Sequence, residues 1–465
     1  MRFIRRFEIA RFTILLILLA ACFLWGGASR LDVLSLLILQ PLAAICLVAF
    51  LLIPGPIDWF RIRVPLILLA SLAAIMIVQL IPLPPAVWTN LPGHGAFATT
   101  ARVAGIEQPW RPISLTPDLT LASFVGLIVP LAVLVGFASL DHERRYSLLI
   151  ALLAGGLVSA CFGLAQIAGG PQSPFYLYDI TNSDSAVGLF ANRNHQAVVI
   201  SMLWPMVALW IMVSRESKGL RLRTWVGASF AIFLLPLMLV TGSRAGVILA
   251  VVGVVCAYFL LRGRNARDRA VPRKGARFAT AAAGVAVLIV LIATFGFSKD
   301  EAITRLVSET GNKESRLESA PVLLRMAGDF FPVGSGFGSF DPVYRFYEPR
   351  ELLGPEYLNH AHNDLLELLI TGGLPAVLIL VTFLTWFGIG SWRSLRSANP
   401  SRAVAYARLG SSMVLLALLA SLVDYPLRTP LMAAIFAVAC AWIGGEPDPR
   451  SGSIHRQEQP KDLYR

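Results

Sequence analysis

The sequence predicts an all-α polytopic membrane protein of about 12 transmembrane helices, and three observations carry that expectation. Hydrophobic residues make up 56% of the 465 and charged residues only 15%, a balance that suits a chain bathed in lipid more than one with a water-facing surface. Apolar stretches of about 17–22 residues recur along the whole length, and about 20 helical residues cross about 30 Å of hydrocarbon. Basic residues gather on alternate connections. With the N-terminus inside, 27 of the 40 Lys and Arg fall on the internal side, as the positive-inside rule expects.

Taken in order, the expected spans are 11–29, 33–53, 64–81, 119–139, 147–169, 195–213, 225–241, 245–262, 277–297, 366–390, 409–424 and 430–445. The first run lacks a convincing small-residue cleavage site and is followed by further spans, so it reads as a retained helix rather than a signal peptide. The 225–262 region also has the length of a re-entrant pair, and the last two spans are short. An even number of crossings puts both termini on the cytoplasmic side.

Several function classes are disfavoured by the same reading. The basic run RGRNARDRAVPRKGAR (262–277) suits a topology determinant near anionic lipid better than a nucleic-acid site. The five cysteines, Cys22, Cys46, Cys161, Cys256 and Cys440, lie within spans without CxxC spacing, so neither a disulfide framework nor a thiolate metal site is expected. No glycine-rich loop ends in the Lys-Ser/Thr that a triphosphate-binding motif requires.

Chemistry is expected at the external edge. Three external segments are long, 82–118, 170–194 and 298–365, and the last carries Arg316 and Arg325 with eleven acidic residues from Asp300 to Asp364. Its length fits short helices forming a lid over a membrane-embedded cavity better than an independent domain. Four of the six histidines, His94, His195, His360 and His362, fall on this side, whereas His142 and His455 are internal. Asn359 is expected to cap the helix that follows, whose positive N-terminal potential would keep His362 neutral, as a general base must be. A zinc site on His360 and His362 is the competing reading. Two residues apart within a helix they would point about 200° apart, and no HExxH or Cys partner supports it.

Arg193 and Arg244 each stand at the start of an apolar span, where either is an ordinary snorkelling side chain or a permanently charged fork for phosphate oxygens. Two of them on one membrane face can hold a diphosphate. Asn192 and Asn194 are placed to orient the arginine and sugar hydroxyls. GSGFGSF (334–340) reads as a structural turn, and Asp364 and Glu367, three apart on one helical face, are expected to polarise or pair with an external arginine.

In this order and spacing the segments GLFANRNHQA (188–197), TGSRAG (241–246), FPVGSGFGSF (331–340) and HAHNDLLELLITGGLP (360–375) resemble the O-antigen ligase and polymerase superfamily of polytopic glycosyltransferases over about residues 180–390. RPISLTPDLT (111–120) resembles the segment such proteins carry before their fourth helix. The superfamily's ligase motif, His then Asn, Ser or Gln, then Gly nine residues on, is matched by His362, Asn363 and Gly373. The resemblance implies a GT-C-like helical fold with N-terminal helices in 1–179, a catalytic region in 180–390 that includes loop 298–365, C-terminal helices in 391–445 and a cytoplasmic tail in 446–465.

It further implies an inner-membrane enzyme whose site faces the periplasm and whose donor is a glycan on undecaprenyl diphosphate. The acceptor is lipid A core or another lipid-linked glycan. Arg193 and Arg244 would hold the diphosphate, and His362 would activate the acceptor for inverting transfer. His195, Arg316, Arg325, His360, Asn363 and Asp364 would be accessory, with Asn192 and Asn194. No nucleotide, metal or other cofactor is implied, because the diphosphate ester already activates the sugar. Protein O-oligosaccharyl transfer is the alternative within the superfamily, and a transporter or scaffold of polysaccharide export the alternative outside it. The ionisable residues cluster at one edge rather than at mid-membrane, which suits interfacial chemistry better than alternating access.

Overall fold

The computed structural model describes residues 2–213, 217–262, 319–353, 358–397 and 401–445. In chain order the helices are α1 (Arg2–Trp25), α2 (Leu36–Leu52), α3 (Trp59–Leu80), α4 (Pro85–Trp88), α5 (Gly95–Val103), α6 (Pro117–Gly126), α7 (Ile128–Ala138), α8 (His142–Gly169), α9 (Arg193–Val213), α10 (Ser217–Val240) and α11 (Arg244–Arg262). Then come α12 (319–330), α13 (Phe340–Tyr347), α14 (Asp364–Arg396), α15 (Arg402–Ser421) and α16 (Pro430–Ile443).

Nine helical segments among the described residues are long and apolar enough to cross a membrane, with α6 and α7 together forming one of them. Two further expected spans are shorter, α2 with 17 residues and α16 with 14, and the expected span 277–297 lies outside the described residues. The shortness of α16 has a physical reason: it starts late, at Pro430, behind a 3₁₀ turn at Pro426–Arg428, and eleven of its residues are buried against protein rather than lipid. The 225–262 region is two separate full-length helices, not a re-entrant pair.

At the centre stands α9, on which every residue from His195 to Leu209 is buried. A helix apolar on all sides belongs inside a bundle, and α9 packs most extensively against α11. Close approach is allowed by missing side chains: a β-carbon on Gly246 would lie 2.5 Å from Ala197 Cβ, and one on Gly253 2.4 Å from Ser201 O. Small residues serve this purpose between helices in lipid. Successive contacts advance together on both helices, Ala197 with Gly246 and Ser201 with Gly253, so α9 and α11 run parallel and begin at the same edge.

At the opposite edge basic side chains close the helix ends. The buried Arg11 guanidinium donates to the carbonyls of Ile53, Gly55, Pro56 and Ser139, while Arg145 donates to Phe137 O and Ala138 O and pairs with Asp58 at 3.0 Å. Carbonyls left over at the C-terminal ends of α2 and α7 are thereby satisfied.

One break decides the shape of the site edge. Gly373 sits inside α14 with φ 61° and ψ −157°, where the helix kinks, and the interrupted ladder frees carbonyls that a membrane interior cannot hydrate. The segment containing GSGFGSF supplies the partners. Ser335 N–H donates to Ile370 O (2.9 Å), Gly336 N–H to Thr371 O (3.0 Å), and Pro332 O accepts from Leu374 N–H (2.8 Å). Gln79 of α3 donates to Thr371 O and accepts from Phe337 N–H. RPISLTPDLT locks on from the other side, since Leu115 N–H donates to Ser335 O and Thr120 Oγ1 to Phe337 O. The expected structural turn is thus a clasp around a kink.

Gly373→Ala should therefore destabilise by about 2 kcal/mol or more, since a left-handed residue with a β-carbon costs about 1–2 kcal/mol and that carbon would stand 2.2 Å from Pro332 O. Gly388→Ala, on the same helix with nothing within 4 Å, should be neutral or stabilising. Thermal unfolding of both variants in micelles checks the contrast.

Candidate functional site

The helix after the HAHND segment begins four residues later than Asn359 capping would place it. Asn363 is the cap: its Oδ1 accepts from Leu365 N–H and Leu366 N–H at 3.0 Å each, and its amide donates to Leu422 O at 3.1 Å. Asn359 lies too far upstream, because His362 turns the chain with φ 49° between the two. Its Oδ1 instead accepts from the Tyr425 hydroxyl (3.5 Å). His360 and His362 accordingly precede the helix, and the 200° divergence expected of helical neighbours does not describe them. Nor does the helix terminus provide the nearest group to His362; that group is a carboxylate.

His362 Nδ1 lies 3.3 Å from Asp424 Oδ1, with the histidine side chain 16% and the aspartate 3% exposed. A positive φ is rare outside glycine, and such backbone outliers gather at functional sites. Asp424 comes from the short connection between α15 and α16 and gathers the other expected residues. Asn194 Nδ2 donates to its Oδ2 at 2.6 Å and Asn192 Nδ2 at 3.4 Å, while His195 Nε2 lies 3.9 Å from Oδ1. Burial alone would raise the Asp424 carboxyl. The contact with His362, the proximity of the His195 and His362 imidazoles, and the Asn194 amide outweigh it and hold the carboxyl below the ordinary carboxylate range.

Through Asn194 the cluster reaches the second motif, since Ser243 Oγ of TGSRAG donates to Asn194 Oδ1 at 2.8 Å. Arg193 stands at the start of α9, with Nη1 3.4 Å from Ser185 Oγ and 3.7 Å from where a Gly242 β-carbon would be. Arg244 opens α11 with an exposed side chain. Three helix N-termini, those of α9, α11 and α14, thus meet at one edge, their first-turn N–H groups capped by Asn182 and Asn192, by Ser243 and by Asn363, and each sets positive potential there.

A second charged group lies beside the first. His360 Nδ1 is 3.0 Å from Glu367 Oε1, and Ala361 N–H donates to Oε2 at 2.8 Å. Arg428 pairs with Glu367 and with Asp364, both at 3.1 Å, and Ser421 Oγ donates to Asp364 Oδ2 at 2.8 Å. Burial opposes the Arg428 charge, but the two carboxylates raise its pKa above the ordinary arginine value. The expected arginine partner of Asp364 and Glu367 is therefore Arg428. The Tyr425 ring separates and touches the groups, its centroid 4.3 Å from His360, 4.9 Å from His362 and 5.2 Å from His195.

Other expected residues lie elsewhere. Arg325 pairs with Asp329 on its own helix at 3.7 Å with its side chain 77% exposed, His94 sits between the carbonyls of Pro92 and Ile113, and Arg316 lies outside the described residues. Missed from the sequence were Asp424, Tyr425 and Arg428. The signal was DYPLR (424–428), a polar pentapeptide between two apolar runs on the expected external side; drawing the span to 424 hid its first residue.

An all-helical membrane protein with paired imidazoles, carboxylates and arginines at one edge is the class these features define. Residues 228–381, about a third of the chain, match the model of a family described as O-antigen ligase, which supports the O-antigen ligase superfamily for this region. The matched region contains Arg244 and His362, whereas Arg193 and Asp424 lie outside it. No curated protein matches the chain. The family links the protein to ligation or polymerisation of O-antigen or related polysaccharide by a glycosyltransferase-like activity on lipid-linked glycans.

Arg428→Met should cost about 3–5 kcal/mol, because it leaves two buried carboxylates without their cation; adding Glu367→Gln should recover part of the loss in the same unfolding measurement. The low Asp424 pKa fixes the sign of a pH effect. Its stabilising contribution is fully present above the unfolded value, about 3.9, and is lost only as pH falls through the folded one. The stability gap between wild type and Asp424→Asn should stay constant from pH 8 to pH 5 and shrink only below about pH 4. A gap that closes near pH 6 would contradict the assignment.

Proposed function

We propose that this protein is an inverting glycosyltransferase of the GT-C-like kind. It moves a glycan from undecaprenyl diphosphate to an acceptor hydroxyl at the periplasmic face of a bacterial inner membrane, in ligation or polymerisation of surface polysaccharide. The observation that carries this reading is the His362–Asp424 pair lying next to Asn194, between the residues that begin α9 and α11.

With Nδ1 turned toward Asp424, His362 carries its hydrogen there and leaves Nε2 as the base, the division of labour of a histidine–carboxylate dyad. Nε2 takes the proton of the acceptor hydroxyl as its oxygen attacks the anomeric carbon from the face opposite the diphosphate. The C–O bond to the diphosphate breaks, configuration inverts, and Asp424 steadies the imidazolium. Arg193 and Arg244 receive the negative charge that grows on the leaving diphosphate, aided by the converging helix N-termini. The diphosphate ester supplies the activation. His360, held by Glu367 in the neighbouring cluster, is not turned toward the arginine side, which supports His362 as the base.

His362→Ala should lower transfer by about 10²–10⁴-fold, the usual worth of general-base catalysis, and Arg193→Ala or Arg244→Ala by about 10²–10³-fold. The check is the glycan profile of a deletion strain complemented with each variant at equal membrane abundance. Full-length glycan accumulating on the lipid carrier marks a ligase, and single repeats mark a polymerase. Profiles unchanged in all three variants would sink the catalytic assignment.

A further inference from the structure

Beside the His360 group a cavity of about 610 Å³ descends into the bundle between α3, α7, α14 and α16. None of Arg193, Arg244, His362 or Asp424 lines it. Its walls reach from Pro430 to Cys440 on α16, about 15 Å at 1.5 Å per residue, so it penetrates to mid-membrane depth. The deep part is apolar, with Leu69, Leu72, Leu134, Ile379 and Phe436 on its walls. Water gains nothing from such surface, whereas a hydrocarbon chain buries its own apolar area there.

The shallow end is polar and acid-rich. Asp32, Asp341, Asp364 and Glu367 face it with Arg30 and Arg428, and every guanidinium group there is engaged, Arg30 with Asp32 at 2.6 Å, Arg345 with Asp341 at 2.7 Å from outside the cavity, and Arg428 shared between Asp364 and Glu367, which leaves one carboxylate in excess. An anionic phosphate brought here would meet that excess negative charge and guanidinium groups already held by carboxylates. A sugar meets acceptors for its hydroxyl hydrogens, since ionised carboxylates accept only.

We propose that this cavity is a second lipid site, for the acceptor: it takes the hydrocarbon chain of a glycolipid whose uncharged sugar lies against Asp364, Glu367 and His360. The inference rests on the transferase reading, which assigns the diphosphate of the donor to Arg193 and Arg244. The buried Tyr425 ring, touching both His360 and His362, links the mouth of this cavity to the base.

The test is photolabelling of the full chain in phosphatidylcholine nanodiscs with an alkyl glucoside bearing a diazirine in its alkyl chain, followed by peptide mapping. Adducts are expected on residues 376–383 and 433–440. Ala433→Trp from α16 and, independently, Leu72→Trp from α3 should each reduce them at least 5-fold, with Arg244→Ala without effect. Excess diglucosyl diacylglycerol or polyprenyl glucoside should displace the probe, and the stronger of the two identifies an acyl or an isoprenoid tail. Labelling spread over the outer surface and insensitive to both Trp variants would overturn the proposal. So would displacement by polyprenyl diphosphate together with loss in Arg244→Ala, which would make the cavity the slot of the donor chain. Labelling needs no turnover, so these outcomes stand apart from the glycan profiles that test the transferase reading.

Discussion

The arrangement of the site depends on one buried carboxylate. Taking Asp424 out of water costs several kcal/mol unless surrounding groups replace its hydration, and those groups come from two distant parts of the chain, Asn194 at the head of α9 and His362 before α14, and from the backbone N–H of the next residue, Tyr425. Each is pinned in turn. Asn194 accepts from Ser243, which begins the turn into α11, and Asn363 ties the head of α14 to the end of α15. Four helices are thereby brought into register at one edge by a single anion that has no better partners elsewhere.

The rest of the edge divides into two electrostatic halves with Tyr425 between them. On one side the helix N-termini and the arginines that begin α9 and α11 set positive potential. On the other, Glu367 and Asp364 exceed Arg428 in charge and face an apolar cavity. The same chain segment, HAHND, feeds both halves, with His360 turned to Glu367 and His362 to Asp424. A left-handed residue between them makes this possible, because two histidines on a regular strand or helix could not be distributed so while Asn363 capped the helix.

Much of this was legible in the sequence. The long spans follow from hydropathy because lipid leaves the backbone no alternative to helix, and the three motif segments announce themselves as polar interruptions at span ends. His362, Arg193 and Asn194 were found in this way and lie in one neighbourhood. Asp424 and Arg428 were not, since their significance lies in pairing across more than 50 residues with His362, Asp364 and Glu367, and a five-residue connection carries no period to betray it. The cap was misplaced by four residues for a local reason: a histidine with φ 49° cannot be foreseen from residue type. The kink at Gly373 matched a motif, but its cause, a clasp from residues 332–337, is a contact between segments that periodicity does not reveal.

That kink splits α14 into a head of about nine residues, which bears Asp364, Glu367 and Thr371, and a long shaft. The head is held by hydrogen bonds from Ser335 N–H to Ile370 O and from Gly336 N–H and the Gln79 amide to Thr371 O, not propped on the shaft by a continuous ladder. A shaft that tilts with bilayer thickness pivots at the kink, where Leu374 N–H is held by Pro332 O, and does not carry Asp364 and Glu367 up or down with it. Membranes of different thickness should all find the Glu367–His360 group at the same height.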